Sequence, residues 1–205
     1  MKIEDFKGLH GPTLVTQFIL AAILLTSVPN AVQSVSAAAK GFKIDPTHSW
    51  VVFKVKHKNV GYAFGRFNEM AGTIKFDEAE PASSSLQITI KTASIDTGND
   101  GRDKHLRSPD FFDVKQFPVM TFKSTSAKKT GDKTYALTGN FMLKGVTKSI
   151  TVSVEHVGTV TGPRGTTTGA ISTFKIKRSD YGIDYMPGGL GDEVEITMAL
   201  EAKGR

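Results

Sequence analysis

Apolar and polar residues alternate with period two along most of the chain after residue 40. This alternation is typical of antiparallel strands with one buried and one solvated face. Turn-rich connections containing Gly, Pro and Asp separate the alternating segments. The predicted strands are 49–56, 70–76, 86–95, 120–124, 135–143, 150–156, 168–178 and 194–202.

The connections between these segments are too short for crossover helices, with one exception, so consecutive strands are expected to pair with each other. Eight such strands predict an all-β fold, an eight-stranded antiparallel up-and-down barrel whose interior is either filled by side chains or holds one small ligand. A two-sheet sandwich remains the structural alternative. The outward positions carry many Lys and Glu residues, which argues against a barrel embedded in lipid.

The exception is the segment 98–118, which interrupts the alternation between predicted strands 3 and 4. A connection of this length is uncommon in a compact domain unless it has structure of its own. Ser108 can cap a helical turn that begins with Pro109, so we predict one short helical insertion here. It can act as a plug or as a lid over a cavity, and its apolar residues are Leu106, Phe111, Phe112 and Phe117.

In a barrel of this kind, the apolar half of each strand faces the lumen. These positions either pack together as a core or contact a ligand, and the pattern does not separate the two. The predicted lumen residues are Val51, Phe53, Val55, Ile74, Phe76, Leu86, Ile88, Phe122, Leu137, Phe141, Phe174 and Met198.

The first 39 residues differ in character from the rest. An apolar run at 18–28 is followed by small residues at 36–39, which predicts an export signal over 1–39, a domain at 40–205 and a periplasmic location. An uncleaved membrane anchor stays open. The net charge of +6 comes from dispersed Lys residues, which makes nucleic acid a poor candidate partner. The absence of Cys excludes disulfides, thiolate metal sites and a Cys nucleophile.

Few polar residues form a pattern with catalytic or metal-binding spacing. Asp103 and His105 could transfer a proton at the barrel mouth, but structural ion pairs are the commoner role of such groups. His48 and His57 fall on opposite faces of one unbroken strand. We therefore predict no catalytic residue, no metal site and no cofactor.

The order of several short motifs resembles the YceI-like family over residues 42–202. The motifs are DPTHS at 45–49, GRF at 65–67, IDTGN at 95–99, RDKHLRSPDFFD at 102–113, GVTK at 145–148 and RSDYG at 178–182. The resemblance implies a lipocalin-like barrel, exported to the periplasm, that binds isoprenoid or similar lipids in its lumen. Its polar pattern corresponds here to His48, Arg102, Asp103, His105, Asp113 and Arg178, which either touch ligand or brace the central segment.

The expected function is non-covalent binding, sequestration or transport of a long-chain isoprenoid or similar amphiphilic lipid. Two alternatives stay open: an enzyme that uses Asp103 and His105, and a ligand-free envelope stress protein. The expected partner is the lipid itself, and transient contact with a membrane surface and a homodimer stay open.

Overall fold

The computed structural model describes residues 40–204. The predicted export signal, residues 1–39, lies outside the described residues. Within 40–204, no helix combines the length and the apolar character that crossing a membrane requires.

Eight antiparallel strands of the described residues close into a barrel, in the order β1-β4-β5-β7-β8-β9-β10-β11 and back to β1. Three further strands, β2, β3 and β6, extend the same sheet from β11. The strands are β1 (Lys40–Ile44), β2 (Trp50–His57), β3 (Gly61–Phe67), β4 (Met70–Phe76), β5 (Ser85–Lys91), β6 (Ile95–Asp96), β7 (Val119–Lys129), β8 (Thr134–Leu143), β9 (Val146–Gly162), β10 (Gly165–Lys177) and β11 (Leu190–Gly204).

The long strand β11 joins two parts of the wall. Ala202 and Lys203 pair with β1, whereas the half of β11 between Leu190 and Ala199 pairs with β2. Strands β2 and β3 form a two-stranded ribbon joined by a turn at residues 58–60. We call the end of the barrel with this turn the mouth end, and the opposite end, with the β9–β10 turn, the far end.

The predicted eight-stranded antiparallel barrel is confirmed, and the closed ring excludes the sandwich. The assignment of individual strands needs correction. Strands β1 and β3 were not predicted, and β1 rather than β2 completes the ring. The predicted strand 86–95 ends at Lys91, where a 3₁₀ turn, Thr92–Ser94, leads into the short β6.

The helical insertion is present between the predicted strands 3 and 4, but its predicted start was wrong. Helix α1 spans Asp100–Leu106. The side chain of Asn99 caps it by accepting a hydrogen bond from the backbone N–H of Arg102 at 2.9 Å. Pro109 instead lies in a series of turns that follows the helix.

Candidate binding cavities

The barrel interior holds two apolar chambers, so the tube is not packed solid. The far chamber has a volume of about 90 Å³. The near chamber, toward the mouth end, also has a volume of about 90 Å³. A third cavity of about 520 Å³, the mouth cavity, lies between the ribbon, α1 and the loop that precedes β11. It shares wall residues with the near chamber, so the three cavities lie in series. The shared residues are Phe53, Val55, Leu106, Phe111 and Leu190.

The segment 98–118 covers the near chamber. Leu106, Phe111 and Phe112 contribute to the chamber wall. Backbone hydrogen bonds hold the segment in shape, for example from the Phe112 N–H to the Leu106 carbonyl at 3.0 Å. The Arg107 guanidinium ties it to the barrel by donating to the Ala93 carbonyl at 2.8 Å. The segment therefore forms a braced cover over one side of the near chamber, next to the mouth cavity.

Three side chains separate the near chamber from the far chamber. Phe141 of β8, Phe174 of β10 and Met198 of β11 contribute to the walls of both. The rings of Phe141 and Phe174 meet edge to face with centroids 6.4 Å apart, and Phe141 also packs against Tyr181 at 5.5 Å. Burial raises the pKa of the Tyr181 phenol, so this residue is a neutral support. We call Phe141, Phe174 and Met198 the partition.

Eleven of the twelve predicted lumen residues contribute to a chamber wall. Ile88 is the exception, since it is fully buried in the core and lies outside both walls. Contact of these residues with a ligand stays a prediction. Val51, Phe53 and Val55 belong to the near chamber, Phe141, Phe174 and Met198 to both, and Ile74, Phe76, Leu86, Phe122 and Leu137 to the far chamber.

Arg178 is buried, with 6% of its surface exposed, and its guanidinium is bound by backbone carbonyls. It therefore fastens the loop before β11, next to the mouth cavity. A buried cation needs such partners, because an unpaired one would be strongly destabilising. The acceptors are the carbonyls of Ile183, Tyr185, Leu190 and Gly191, at 2.8–3.1 Å.

Asp192, near the start of β11, provides a second brace. Its carboxylate accepts hydrogen bonds from the Ser179 N–H and hydroxyl, each at 2.9 Å. These bonds favour the charged form and hold the pKa of Asp192 below its ordinary value.

Asp103 and Arg102 both bind Thr97, at the entry to α1. The buried Asp103 carboxylate accepts from the Thr97 N–H at 3.0 Å and from its hydroxyl. The Arg102 guanidinium donates to the Thr97 hydroxyl and carbonyl, each at 2.7 Å. These contacts fix the helix against the short β6.

The structure does not pair Asp103 with His105. The His105 ring instead makes a hydrogen bond to Asp110 at 2.8 Å and packs edge to face on Phe111 and Tyr185. Both Arg102 and His105 border the mouth cavity. The arrangement places polar atoms beside an apolar entrance and forms no catalytic dyad from the two predicted residues.

The remaining predicted polar residues lie apart from the chambers. His48 is exposed and binds Asp45 at 2.8 Å. Asp45 also pairs with Lys203 at 2.6 Å, and these partners hold its pKa well below the ordinary value. With Glu201, Asp45 and His48 form a cluster that could in principle hold a cation, although its central carboxylate already has two partners.

Asp113 is buried with a positive φ of 45°, and its carbonyl accepts from the Phe117 N–H at 2.8 Å. It shapes the end of the segment 98–118.

Sequence analysis missed several residues of the site. Val60, Tyr62, Tyr185 and Met186 border the mouth cavity, but they belong to a turn, an unpredicted strand and a loop. Tyr135 borders the far chamber, and its buried hydroxyl has no hydrogen-bond partner among residues 40–204. The signal for Tyr135 was present in the alternation of β8, where it precedes Leu137 by two positions.

The comparisons with known proteins agree with this architecture. The family model described as "YceI-like domain" matches residues 42–202. Protein YceI of Salmonella newport is 38% identical over 187 residues, covering 90% of this chain and 94% of the relative.

Solved structures give the same result. BcnA of Burkholderia cenocepacia superposes with a TM-score of 0.73 at 29% identity, covering 78% of this chain and 99% of that one. The Campylobacter jejuni YceI protein gives a TM-score of 0.67 at 33% identity, covering 73% and 90%. A domain from Saccharophagus degradans, described as a polyisoprenoid binding domain, has a TM-score of 0.62 at 18% identity, covering 80% and 98%, and so shares the fold.

Proposed function

The chain belongs to the YceI-like family, and from this premise we propose that it binds a long-chain isoprenoid or similar amphiphilic lipid within its barrel. The observation that carries the proposal is the series of two apolar chambers behind an open mouth cavity. The hydrocarbon chain of the lipid occupies the chambers, and the polar end of the lipid stays in the mouth cavity. Sequestration or transport of that lipid is the resulting activity.

The physical basis is transfer of hydrocarbon out of water. Each buried methylene contributes about 0.8 kcal/mol, so a chain of several isoprene units binds without polar recognition. The chamber walls consist mainly of Val, Leu, Ile, Phe and Met side chains. Selectivity is therefore expected to follow chain length and thickness more than head-group chemistry.

The relatives support the lipid class. The Saccharophagus degradans domain, which has the same fold, is described as polyisoprenoid binding. At this low sequence identity the likeness shows only that the two proteins share a fold. The ligand of the present protein is therefore inferred from the chambers of its barrel together with its family membership.

A binding role is favoured over an enzymatic one because the polar residues of the motifs have structural partners. Asp103 binds Thr97, and Arg178 binds backbone carbonyls of its own loop. Only Arg102 and His105 of this set border the mouth cavity without being buried. We also propose that the protein acts in the periplasm, on the basis of the sequence of residues 1–39.

The proposal is tested by competition between a fluorescent isoprenoid and unlabelled polyprenols of increasing length, using protein from which lipid has been extracted. We expect saturable binding that strengthens with chain length. His105→Ala should retain binding, because the chambers and not the imidazole hold the chain. Absence of saturable binding would overturn the proposal, and turnover of the lipid that is lost in His105→Ala would favour the enzymatic alternative.

A further inference from the structure

The ribbon exposes large apolar side chains to solvent, from Trp50 at the start of β2 to Val60 in the turn beside the mouth cavity. Val60, in its turn, is 88% exposed, and Phe64 is 63% exposed. Trp50 and Tyr62 are each about half exposed. Contiguous apolar side chains of this size on a protein surface commonly mark an interaction site.

The alternation along β3 explains why the aromatic residues face outward. A Cβ on Gly65 would collide with the Phe53 ring, so this side of β3 faces the interior. Tyr62 and Phe64 occupy the opposite side, where they pair with Lys56 and Lys54 of β2. The lumen face of the ribbon therefore combines the apolar side chains of β2 with small residues of β3, and its outer face mixes aromatic and basic side chains.

The charged residues of the ribbon are all basic. Residues 50–68 contain Lys54, Lys56, Lys58 and Arg66 and no Asp or Glu. Lys54 pairs with Glu195, and Arg66 pairs with Asp96. Lys56 and Lys58 are exposed and form no salt bridge within residues 40–204. Exposed aromatic and basic residues together match a membrane interface with anionic head groups.

The ribbon is also a wall of the mouth cavity. Residues 60–64 border this cavity, and Tyr185 and Met186 border it from the opposite side while remaining partly exposed. A surface that covered the outer face and the turn of the ribbon would therefore reach the edge of the mouth cavity that residues 60–64 form. A lipid chain could then enter without crossing water.

We propose that the outer face of the ribbon docks on an anionic phospholipid bilayer, with the ribbon edge of the mouth cavity, residues 60–64, at the bilayer surface. This inference rests on the proposed function, because docking supplies the hydrophobic ligand to the chambers. A second copy of the chain is a poorer occupant: a symmetric contact would place the basic ribbon against itself without a carboxylate on residues 50–68.

Trp50 is the only Trp in the sequence, so its emission reports on the ribbon directly. The full-length protein is titrated with phosphatidylcholine vesicles with and without phosphatidylglycerol, including a brominated lipid as quencher. We expect a blue shift and quenching with the anionic vesicles and a weaker response at high salt.

Charge and apolar variants test the ribbon, each with a control of the same chemistry at the far end. Lys56→Glu with Lys58→Glu should weaken the response by at least about tenfold, whereas Lys128→Glu with Lys129→Glu, which changes the net charge equally, should not. Val60→Ser should weaken it, whereas Val160→Ser, at a residue 67% exposed, should not.

An unchanged Trp50 emission with anionic vesicles would overturn the inference, and so would equal effects of the ribbon and control pairs. A protein-concentration-dependent shift without vesicles would assign the ribbon to a second copy instead. Isoprenoid binding is measured in parallel: if it persists while docking fails, only this inference is wrong. If docking persists without isoprenoid binding, the ribbon stands as a membrane contact and the proposed function falls.

Discussion

Ala170→Leu should make the protein more stable and its binding of long chains weaker. Ala170 lies on β10, borders the far chamber and leaves space in front of its methyl group. Leucine adds three carbon atoms that project into that space. Opposite effects on stability and binding are expected only if the chamber is real and receives the ligand.

The magnitude follows from two independent estimates. Burying three added carbons at about 0.8 kcal/mol each gives about 2 kcal/mol. Filling a cavity of about 90 Å³ at about 24 cal/mol per Å³ also gives about 2 kcal/mol. We expect the ligand-free variant to gain up to that amount. A long chain loses the same space, which corresponds to about 30-fold weaker binding.

The assay combines urea unfolding of the extracted protein with the isoprenoid competition assay. Farnesol, which is short enough to stay within the mouth cavity and the near chamber, should bind wild type and variant alike, and a long polyprenol should bind the variant more weakly. Thr173→Leu is the matched control, because Thr173 lies on the same strand with its side chain exposed. It should change the unfolding free energy by no more than about 0.5 kcal/mol.

An unchanged affinity of Ala170→Leu for long polyprenols would refute this prediction. Equal losses for short and long chains would also contradict it, since the far chamber would then not be a separate space. A destabilised variant with unchanged binding would indicate that β10 has no room at this position.

Three further outcomes follow from the polar side chains that brace the loops of the barrel. Arg178→Met should lower the unfolding free energy by about 3 kcal/mol in urea titrations, because several carbonyls lose a charged donor, and a loss under about 1 kcal/mol would contradict that role. Asp103→Ala should cost about 1–3 kcal/mol in the same assay by leaving the Thr97 N–H and hydroxyl without their acceptor, whereas no loss would remove it from the helix anchor. Asp45 and Asp192 have pKa values lowered by their partners. Their contribution to the free energy of unfolding is therefore complete above about pH 4 and is lost as the pH falls through the folded-state pKa values. Asp192→Asn should weaken the loss of stability at acid pH in urea titrations, and an unchanged acid dependence would contradict this.

The barrel could be predicted from the sequence because alternation specifies which face of each strand is buried. Strand β8 illustrates this, since Tyr135, Leu137, Phe141 and Leu143 are all buried. Strand β3 escaped detection because three of its inward positions are the small residues Gly61, Ala63 and Gly65, which give no apolar alternation. At Gly65 a residue without a side chain is needed, because a Cβ there would collide with the Phe53 ring.

The first residue of the helix could not be predicted from the neighbouring sequence alone, because Asn99 and Ser108 are both acceptable N-cap residues. A contact outside the helix favours the Asn99 cap: in a helix that begins at residue 100, the Asp103 carboxylate accepts a hydrogen bond from the Thr97 N–H. The Ser108 hydroxyl, by contrast, is buried without a partner among the described residues.

The contact between the partition residues could not be predicted from the sequence. Phe141 and Phe174 lie on β8 and β10, which are not neighbours in the sheet. Their meeting depends on the curvature of the closed barrel, which period-two alternation does not encode.

The central claim is that the chambers hold a lipid chain, and native mass spectrometry of the protein from the exported fraction, followed by organic extraction, tests it most directly. We predict a mass above that of the polypeptide, which returns to the polypeptide mass on extraction and releases an isoprenoid or similar lipid. In Ala170→Leu the released lipid should be shorter or scarcer than in Thr173→Leu. A bare polypeptide mass under gentle conditions, with both variants equal to wild type, would contradict the account.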